Sequence, residues 1–150
     1  MPVLRWLITL MITFCLATPA MADSVAEALA VFRDFESRAA RFDDSVANLY
    51  TDDARVITHR RMPDGSTRTF SFIGTEWKGL IRQFMPAARQ RGDINSFAQV
   101  TARPEANGVV VQAQRTNHLK GYTSPFILLL RQERPGGAWR IVEERSETRP

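Results

Sequence analysis

Residues 108–118 (GVVVQAQRTNH), 125–133 (PFILLLRQE) and 138–146 (AWRIVEERS) decide the fold of this chain. The three segments read as consecutive antiparallel strands, and the RPGG sequence at residues 134–137 is a strong turn signal between the last two. The middle segment holds the unbroken apolar run of residues 126–130. Such a run predicts burial on both faces, so we place this strand inside the sheet rather than at an edge.

The sequence upstream predicts three helices that pack onto this sheet. Apolar residues repeat at helical spacing within residues 28–39 and again within residues 77–88, so each of these two helices has one apolar face. Asp43 or Asp44 can cap a short helix between them. Pro86 lacks a backbone donor, so we expect it to kink or end the last of the three helices.

Three further strands are predicted, and the order of elements gives the fold class. Residues 55–62 and 67–73 read as a hairpin around the PDG turn at residues 63–65, and residues 96–103 read as another strand. We therefore predict an α+β domain in which a mostly antiparallel sheet of about six strands carries three helices on its concave face. Strong twist would curl this curved sheet into a cone with a pocket inside, unless aromatic side chains fill the interior.

Residues 1–22 are expected to be a secretory signal peptide, which leaves one domain of residues 23–150. A positive charge precedes the apolar run of residues 6–16, and the AMA sequence before Asp23 offers small residues at the cleavage positions. A transmembrane anchor is the alternative, but the run is too short for the ~30 Å of a membrane interior. The prediction is a periplasmic or secreted protein with no membrane contact after cleavage, in which Asp23 or Ser24 caps the first helix.

Composition excludes several classes of function. Cys15 is the only cysteine and lies in the predicted signal peptide, so the mature chain has no disulfide and no cysteine nucleophile. Loss of Arg5 lowers the formal net charge from +4 to +3, and the positive residues are spread along the chain. Because they form no basic block with interleaved aromatic residues, nucleic-acid binding is not predicted.

Three segments resemble the nuclear transport factor 2-like superfamily, in its bacterial SnoaL-like branch. Residues 42–56 (FDDSVANLYTDDARV) are similar to the family's helix, Leu-Tyr-x-Asp-Asp-Ala sequence and first strand. Residues 74–81 (GTEWKGLI) are similar to its glycine and third helix, and residues 136–147 (GGAWRIVEERSE) to its closing strand. The resemblance covers essentially residues 23–148, and it is the order and spacing of the segments that carry it.

The resemblance implies a cone-shaped α+β fold with a cavity, often dimeric through the outer face of the sheet. Members of the family include isomerases, cyclases, dehydratases, ligand-binding proteins and non-catalytic partner proteins, and they share no single catalytic motif. Many relatives carry histidines after Ile-Val in the closing strand, where this chain has Glu143 and Arg145. A role that needs imidazole at those two places is therefore in doubt.

Glu143 and Arg145 are the first candidates for chemistry. Strand alternation would put both on the same face as Trp139 and Ile141. If that face lines the cavity, burial would favour the protonated form of Glu143, which could then act as a general acid or base. The alternative is a structural ion pair at the rim of the sheet.

His59 is the second catalytic candidate. Arg60 and Arg61 flank it and would keep its imidazole neutral, as a proton acceptor requires, although a strand histidine without a role is the alternative. His118, near the end of a strand, is a weaker candidate. The two histidines have no carboxylate at ligand spacing, so we predict no metal site, and no cofactor is predicted either.

Tyr50, Trp77 and Arg115 are candidate pocket residues. Each of the two aromatic side chains has a polar atom on an apolar body and could orient a ligand at the cavity wall, or serve as a core residue. Arg115, with Thr116 and Asn117, could recognise an anion at the cavity mouth, or form the solvated end of a strand.

Three functions remain open at this point. The first is binding of a small molecule in the cone cavity. The second is a proton-transfer enzyme, an isomerase, dehydratase or cyclase, with Glu143 or His59 as base. The third is a partner protein that forms a homodimer or docks through the outer sheet face, where Gln112, Gln114 and Thr116 alternate along one strand.

Overall fold

A computed structural model describes residues 19–150, so the predicted signal peptide lies outside the described residues except for its last four positions. The elements follow in the order α1 (Pro19–Ala40), a 3₁₀ helix (Asp44–Leu49), β1 (Tyr50–Arg61), β2 (Thr67–Ile73), α2 (Gly74–Arg91), β3 (Asn95–Glu105), β4 (Gly108–Asn117), β5 (Tyr122–Gln132) and β6 (Trp139–Thr148). This is the predicted α+β order of three helices and six strands.

The six strands form one sheet in the order β2-β1-β6-β5-β4-β3. All neighbours are antiparallel except β1 and β6, which pair in parallel and join the N-terminal hairpin to the C-terminal meander. The helices pack on the concave face, α1 against β3 and β4 and α2 against β1. The predicted curved, mostly antiparallel sheet with its helices on the concave face is confirmed.

Strand β5 lies in the interior of the sheet, as its apolar run predicts, but only one of its faces is fully buried. Phe126, Leu128 and Leu130 point into the core and are at most 2% exposed. Ile127 and Leu129 point to the outer face and are only half-buried. The expectation of burial on both faces is wrong, because all three helices cover the same side of the sheet.

An aromatic cluster fills the part of the cone beneath α1. Phe32 and Phe35 of this helix pack against Phe97 of β3 and Phe126 of β5, with ring centroids 5.5 Å apart for Phe32–Phe97 and 5.6 Å for Phe35–Phe126. Phe97 and Phe126 are themselves 5.1 Å apart. Edge and stacked contacts of this kind add to the burial of apolar area, so this half of the interior is solid.

The packing beneath α2 is less complete. Trp77 and Ile81 belong to the predicted apolar face of this helix, yet they and Met85 are only partly buried against the core. Phe84 is 55% exposed. The apolar face of α2 is therefore packed less completely against the core than that of α1.

The predicted cap of α1 is wrong, and α2 does not end at Pro86. Helix α1 runs through Asp23 and Ser24 and is capped by neither. Helix α2 begins after Ile73, whose backbone N–H donates to the Glu76 carboxylate at 3.0 Å. It also continues past Pro86, since this proline is exposed and water can satisfy the carbonyl that it leaves without a donor.

The start of the short helix and the end of α2 lie where residues typical of helix ends occur in the sequence. The carboxylate of Asp43 accepts from the backbone N–H of Ser45 at 2.9 Å and caps the short helix, which is 3₁₀. Helix α2 ends at Gly92, whose φ of 63° is the left-handed conformation that glycine adopts easily. No helix within residues 19–150 combines the length and the apolar character that crossing a bilayer would require.

We predict that Gly74→Ala destabilises the protein by about 3 kcal/mol, because a Cβ atom at this helix start would lie 1.9 Å from the Thr51 carbonyl oxygen. Gly79→Ala is the matched control, since a Cβ atom there meets nothing within 4 Å. The control should stabilise the helix by about 1 kcal/mol. Urea denaturation of both variants measures the difference, and equal stabilities would contradict the packing described for Gly74.

Candidate functional site

A recess of about 570 Å³ opens at one end of the cone, between the end of α1, helix α2 and the ends of strands β1, β4 and β6. We call this recess the cationic mouth because its charged lining residues are Arg60, Arg115, Lys120, Arg149 and Asp93. Four cations therefore face one carboxylate across a concave surface. Such an arrangement focuses a positive potential into the recess.

Arg115 is the most deeply anchored of these cations. Its Nη2 donates to the backbone carbonyl of Glu147 at 2.6 Å, and its guanidinium lies 5.6 Å from the centroid of the Phe126 ring. Its Nε is buried and has no partner among the described residues, and the same holds for Nε of Arg60. Both arginines also line the recess, so their guanidinium groups can pair with an anion bound there.

The remaining charges of the mouth are held at its rim. Lys120 donates from Nζ to the carbonyl of Arg149 at 3.0 Å, and Arg149 lies 5.5 Å from the Tyr122 ring centroid. The single carboxylate of the lining, Asp93, already accepts from Asn117 at 2.7 Å and lies 3.7 Å from Arg91. It therefore offsets the positive charge of the mouth only in part.

A buried pair, Tyr50 and Glu144, lies close to Arg115 on the same concave face. Tyr50 donates its hydroxyl hydrogen to the Glu144 carboxylate, and the two residues are 2% and 3% exposed. Burial raises the pKa of Glu144, while the Tyr50 hydrogen bond and the charge of Arg115 partly oppose the shift. Burial and then the Glu144 charge raise the pKa of Tyr50 well above its ordinary value, so Tyr50 remains a donor.

Trp77 lies beside this pair. The Trp77 ring stacks on Phe72, with 5.6 Å between the two ring centroids. The nearby indole N–H favours the ionised form of Tyr50 and so partly opposes the rise in the pKa of Tyr50. The indole Nε1 is nevertheless buried without a hydrogen bond to any described residue. The structure thus brings together three of the predicted pocket residues, Tyr50, Trp77 and Arg115, around a carboxylate that we did not predict.

Glu144 was missed because the predicted alternation of β6 is interrupted. Ile141 pairs with Leu130, but Glu143 pairs with Leu129, so Val142 is an extra residue that forms a β-bulge. After the bulge, Glu144 and Ser146 point inward. The expectation that Glu143 and Arg145 share the face of Ile141 is therefore wrong, and no turn or glycine in this segment signals the bulge in the sequence.

Glu143 and Arg145 lie instead on the outer face of the sheet. Nε of Arg145 donates to Glu143 at 2.6 Å, and Nη1 of Arg55 lies 3.8 Å from the same carboxylate. The alternative of a structural ion pair holds, but the pair lies on the outer face of the interior strand β6 and not at the rim of the sheet. Neither residue lines the cationic mouth.

Both histidines also lie away from the mouth. His59 is exposed on the outer face of the β1–β2 hairpin, where Nδ1 is 3.0 Å from the Thr69 hydroxyl. His118 is exposed beyond the end of β4, where Nε2 is 2.7 Å from the Ser96 hydroxyl. Neither imidazole faces the recess, so neither can act on a molecule bound in it.

A larger groove of about 690 Å³ lies outside the cone, between residues 41–44 and residues 85–90. Its polar groups already serve the fold. Asp43 caps the 3₁₀ helix, and Arg89 donates to the carbonyls of Arg41 and Phe42 at 3.2 and 3.1 Å. Because these groups have partners, the cationic mouth is the better candidate for a ligand site.

Comparison with solved structures identifies the fold as that of nuclear transport factor 2-like proteins. A nuclear transport factor 2-like protein with a cystatin-like fold from Novosphingobium aromaticivorans is 15% identical, with a TM-score of 0.58, over 86% of this chain and 84% of that chain. One of unknown function from Shewanella oneidensis is 16% identical, with a TM-score of 0.60, over 81% and 97% of the two chains. The likeness does not single out the SnoaL-like branch, which stays a prediction.

A third similar structure belongs to a known type of enzyme subunit. It is the β subunit of a putative aromatic-ring-hydroxylating dioxygenase from Novosphingobium aromaticivorans, 14% identical, with a TM-score of 0.55, over 86% of this chain and 92% of that chain. No protein-family model matches the sequence, and no curated protein matches it. At these identities the comparisons establish the fold alone.

We predict that Glu144 makes the stability of the protein depend on pH. Because its pKa is raised from 4.5 in the folded state, its protonated form favours folding, and this contribution is lost as the pH rises from about 4.5 through the raised pKa. Glu144→Gln keeps an acceptor for Tyr50 but cannot ionise. Its melting temperature relative to that of the wild type should therefore increase between pH 4 and pH 8.

Glu143→Gln is the control for this measurement, because Glu143 is the residue next to Glu144 in the sequence but lies on the outer face of the sheet. Its melting temperature should follow the wild-type pH profile. If the difference in melting temperature between Glu144→Gln and the wild type stays constant across this pH range, Glu144 does not have a raised pKa in the folded state.

Proposed function

We propose that this protein of nuclear transport factor 2-like fold is exported and binds a small anionic molecule in the cationic mouth. The observation that carries the proposal is the group of four cations, Arg60, Arg115, Lys120 and Arg149, that lines one recess with a single carboxylate. Arginine side chains suit carboxylate and phosphate groups because their N–H donors can bind two oxygens at once. The volume of the recess, about 570 Å³, is in the range of small-molecule sites.

Glu144 gives this binding site a structural support. Its buried carboxylate attracts Arg115 electrostatically, and Tyr50 keeps that carboxylate hydrogen-bonded. Arg115 is therefore held near the recess by a charge behind it, by the Glu147 carbonyl and by the face of Phe126. Side chains fixed in this way lose little conformational entropy when a ligand binds.

Proton transfer is the second candidate function, and the raised pKa of Glu144 is the observation in its favour. A buried carboxyl group with a raised pKa can serve as a general acid or base. However, Glu144 is 3% exposed and does not line the cationic mouth, so a substrate would have to displace neighbouring side chains to reach it. Binding without catalysis therefore accounts better for the geometry.

We also propose that two copies of the chain associate through the outer face of the sheet. Ile127 and Leu129 form a small, half-buried apolar patch there, and no helix of the described residues covers it. Glu143 and Arg145 lie beside the patch and offer opposite charges for a symmetric contact. An isologous dimer uses the same patch on both subunits, which a self-complementary surface of this kind allows.

The binding proposal predicts that the protein binds 8-anilinonaphthalene-1-sulfonate more tightly than N-phenyl-1-naphthylamine, which has the same aromatic body without the sulfonate. Arg115→Gln should weaken sulfonate binding about ten- to a hundredfold, the cost of losing one charged hydrogen-bond partner. Fluorescence titration at two salt concentrations measures both effects, since added salt should weaken binding to the cationic mouth.

Arg145→Gln is the matched control for this titration. It removes the same charge from the outer face and should leave the affinity for the sulfonate unchanged. Equal affinities for the charged and the neutral probe, or equal losses in the Arg115 and Arg145 variants, would contradict binding at the cationic mouth.

The dimer proposal predicts twice the chain mass in native mass spectrometry. Ile127→Glu should give a monomer, because it places charge in the apolar patch while Arg145 opposite it in the sheet accommodates the new carboxylate. Thr69→Glu, at the exposed outer face of the edge strand β2, should leave the dimer intact. A wild-type protein of monomer mass at micromolar concentration would refute the proposal.

A further inference from the structure

A second recess of about 240 Å³ runs along α2, and its lining is mostly apolar. Trp77, Leu80 and Ile81 form the part farther from the cationic mouth. We call this second space the α2 recess. It shares four lining residues with the cationic mouth, namely Phe84, Met85, Ala88 and Asp93. The two recesses are therefore adjacent parts of one concave surface, with Phe84 at their junction.

The α2 face that lines this surface is unusually exposed for the apolar face of a helix. Gly74 is the only residue of α2 that is fully buried, and Phe84 is 55% exposed. By contrast, Phe32 and Phe35 on the apolar face of α1 are 1% and 8% exposed. Exposed aromatic and aliphatic surface next to a cationic site is suited to a molecule that has an apolar part as well as a charge.

We propose that the ligand is an amphipathic oxyanion, a carboxylate or a phosphate monoester on an apolar body. Its head would bind Arg60 and Arg115 in the cationic mouth, and its body would cover Phe84 and the α2 recess. This inference rests on the proposed function and adds the chemical class of the ligand. The charge of the mouth selects the head, and the apolar lining beside it selects the body.

The volumes and the chemistry agree with such a ligand. Spaces of about 570 and 240 Å³ match small organic molecules, and pockets of this kind are mainly apolar with a few polar groups that fix orientation. A small inorganic anion would leave the α2 face exposed. A neutral apolar molecule would leave the cations of the mouth without a negative partner in the recess.

The test is a series of butanoate, hexanoate and octanoate, each used to displace 8-anilinonaphthalene-1-sulfonate from the full protein below its micelle concentration. Affinity should rise about two- to fourfold for each added methylene, because each one buries apolar area against α2. Octan-1-ol, which has the same chain without the charge, should bind at least tenfold more weakly than octanoate. Octyl phosphate, measured beside octanoate, identifies which oxyanion head the mouth prefers.

Two variants separate the head from the body. Phe84→Ser should remove most of the gain from butanoate to octanoate, whereas Arg115→Gln should weaken all three acids by a similar factor. Phe70→Ser is the matched control, since Phe70 is also exposed, at 41%, but lines neither recess. Because Phe84 is more than half exposed, its substitution should not prevent folding, and circular dichroism checks this.

The possible failures are distinguishable. If butanoate and octanoate bind with equal affinity and both need Arg115, the proposal of an amphipathic ligand is wrong, whereas the proposal of an anion site is supported. If octan-1-ol binds as tightly as octanoate, the charged head has no role and both proposals fall. If neither the acids, octyl phosphate nor the sulfonate probe binds, the proposed function itself is overturned.

Discussion

The hydrogen bond from Tyr50 to Glu144 is the interaction on which the rest of the concave face depends. It connects residues 94 positions apart, at the start of β1 and near the end of β6, where the only parallel pairing within residues 19–150 joins the two halves of the sheet. A buried carboxylate without a donor would destabilise this junction. With Tyr50 as donor, the Glu144 carboxyl has a hydrogen-bond partner where it lies close to Arg115.

The two long helices divide the cone into a solid part and an open part. Aromatic rings from α1 and the sheet fill the space beneath α1, so this side provides the apolar burial that stabilises the domain. Helix α2 leaves its apolar residues partly exposed beside four cations. The fold can keep this hollow because the packed side supplies stability that the open side does not.

Much of the fold can be predicted from local sequence, while the site depends on two features that cannot. Period-two runs, the RPGG and PDG turns and the helical spacing of Phe32 and Phe35 indicate the sheet and α1. The bulge at Val142 has no such signal, and it reverses which of two adjacent glutamates faces inward. The cationic mouth draws residues from β1, β4 and the chain near Lys120 and Arg149, so only the folded sheet brings these charges together.

The parallel pairing of β1 with β6 has a consequence for how the chain acquires its structure. Strands β3 to β6 form a meander whose neighbours are close in sequence, whereas the hairpin of β1 and β2 adjoins only the last strand. Until β6 has been synthesised, the inner edge of that hairpin has no partner in the sheet. Late contacts between distant segments slow folding, so we expect the docking of this hairpin on β6 to be a slow step in the folding of the domain.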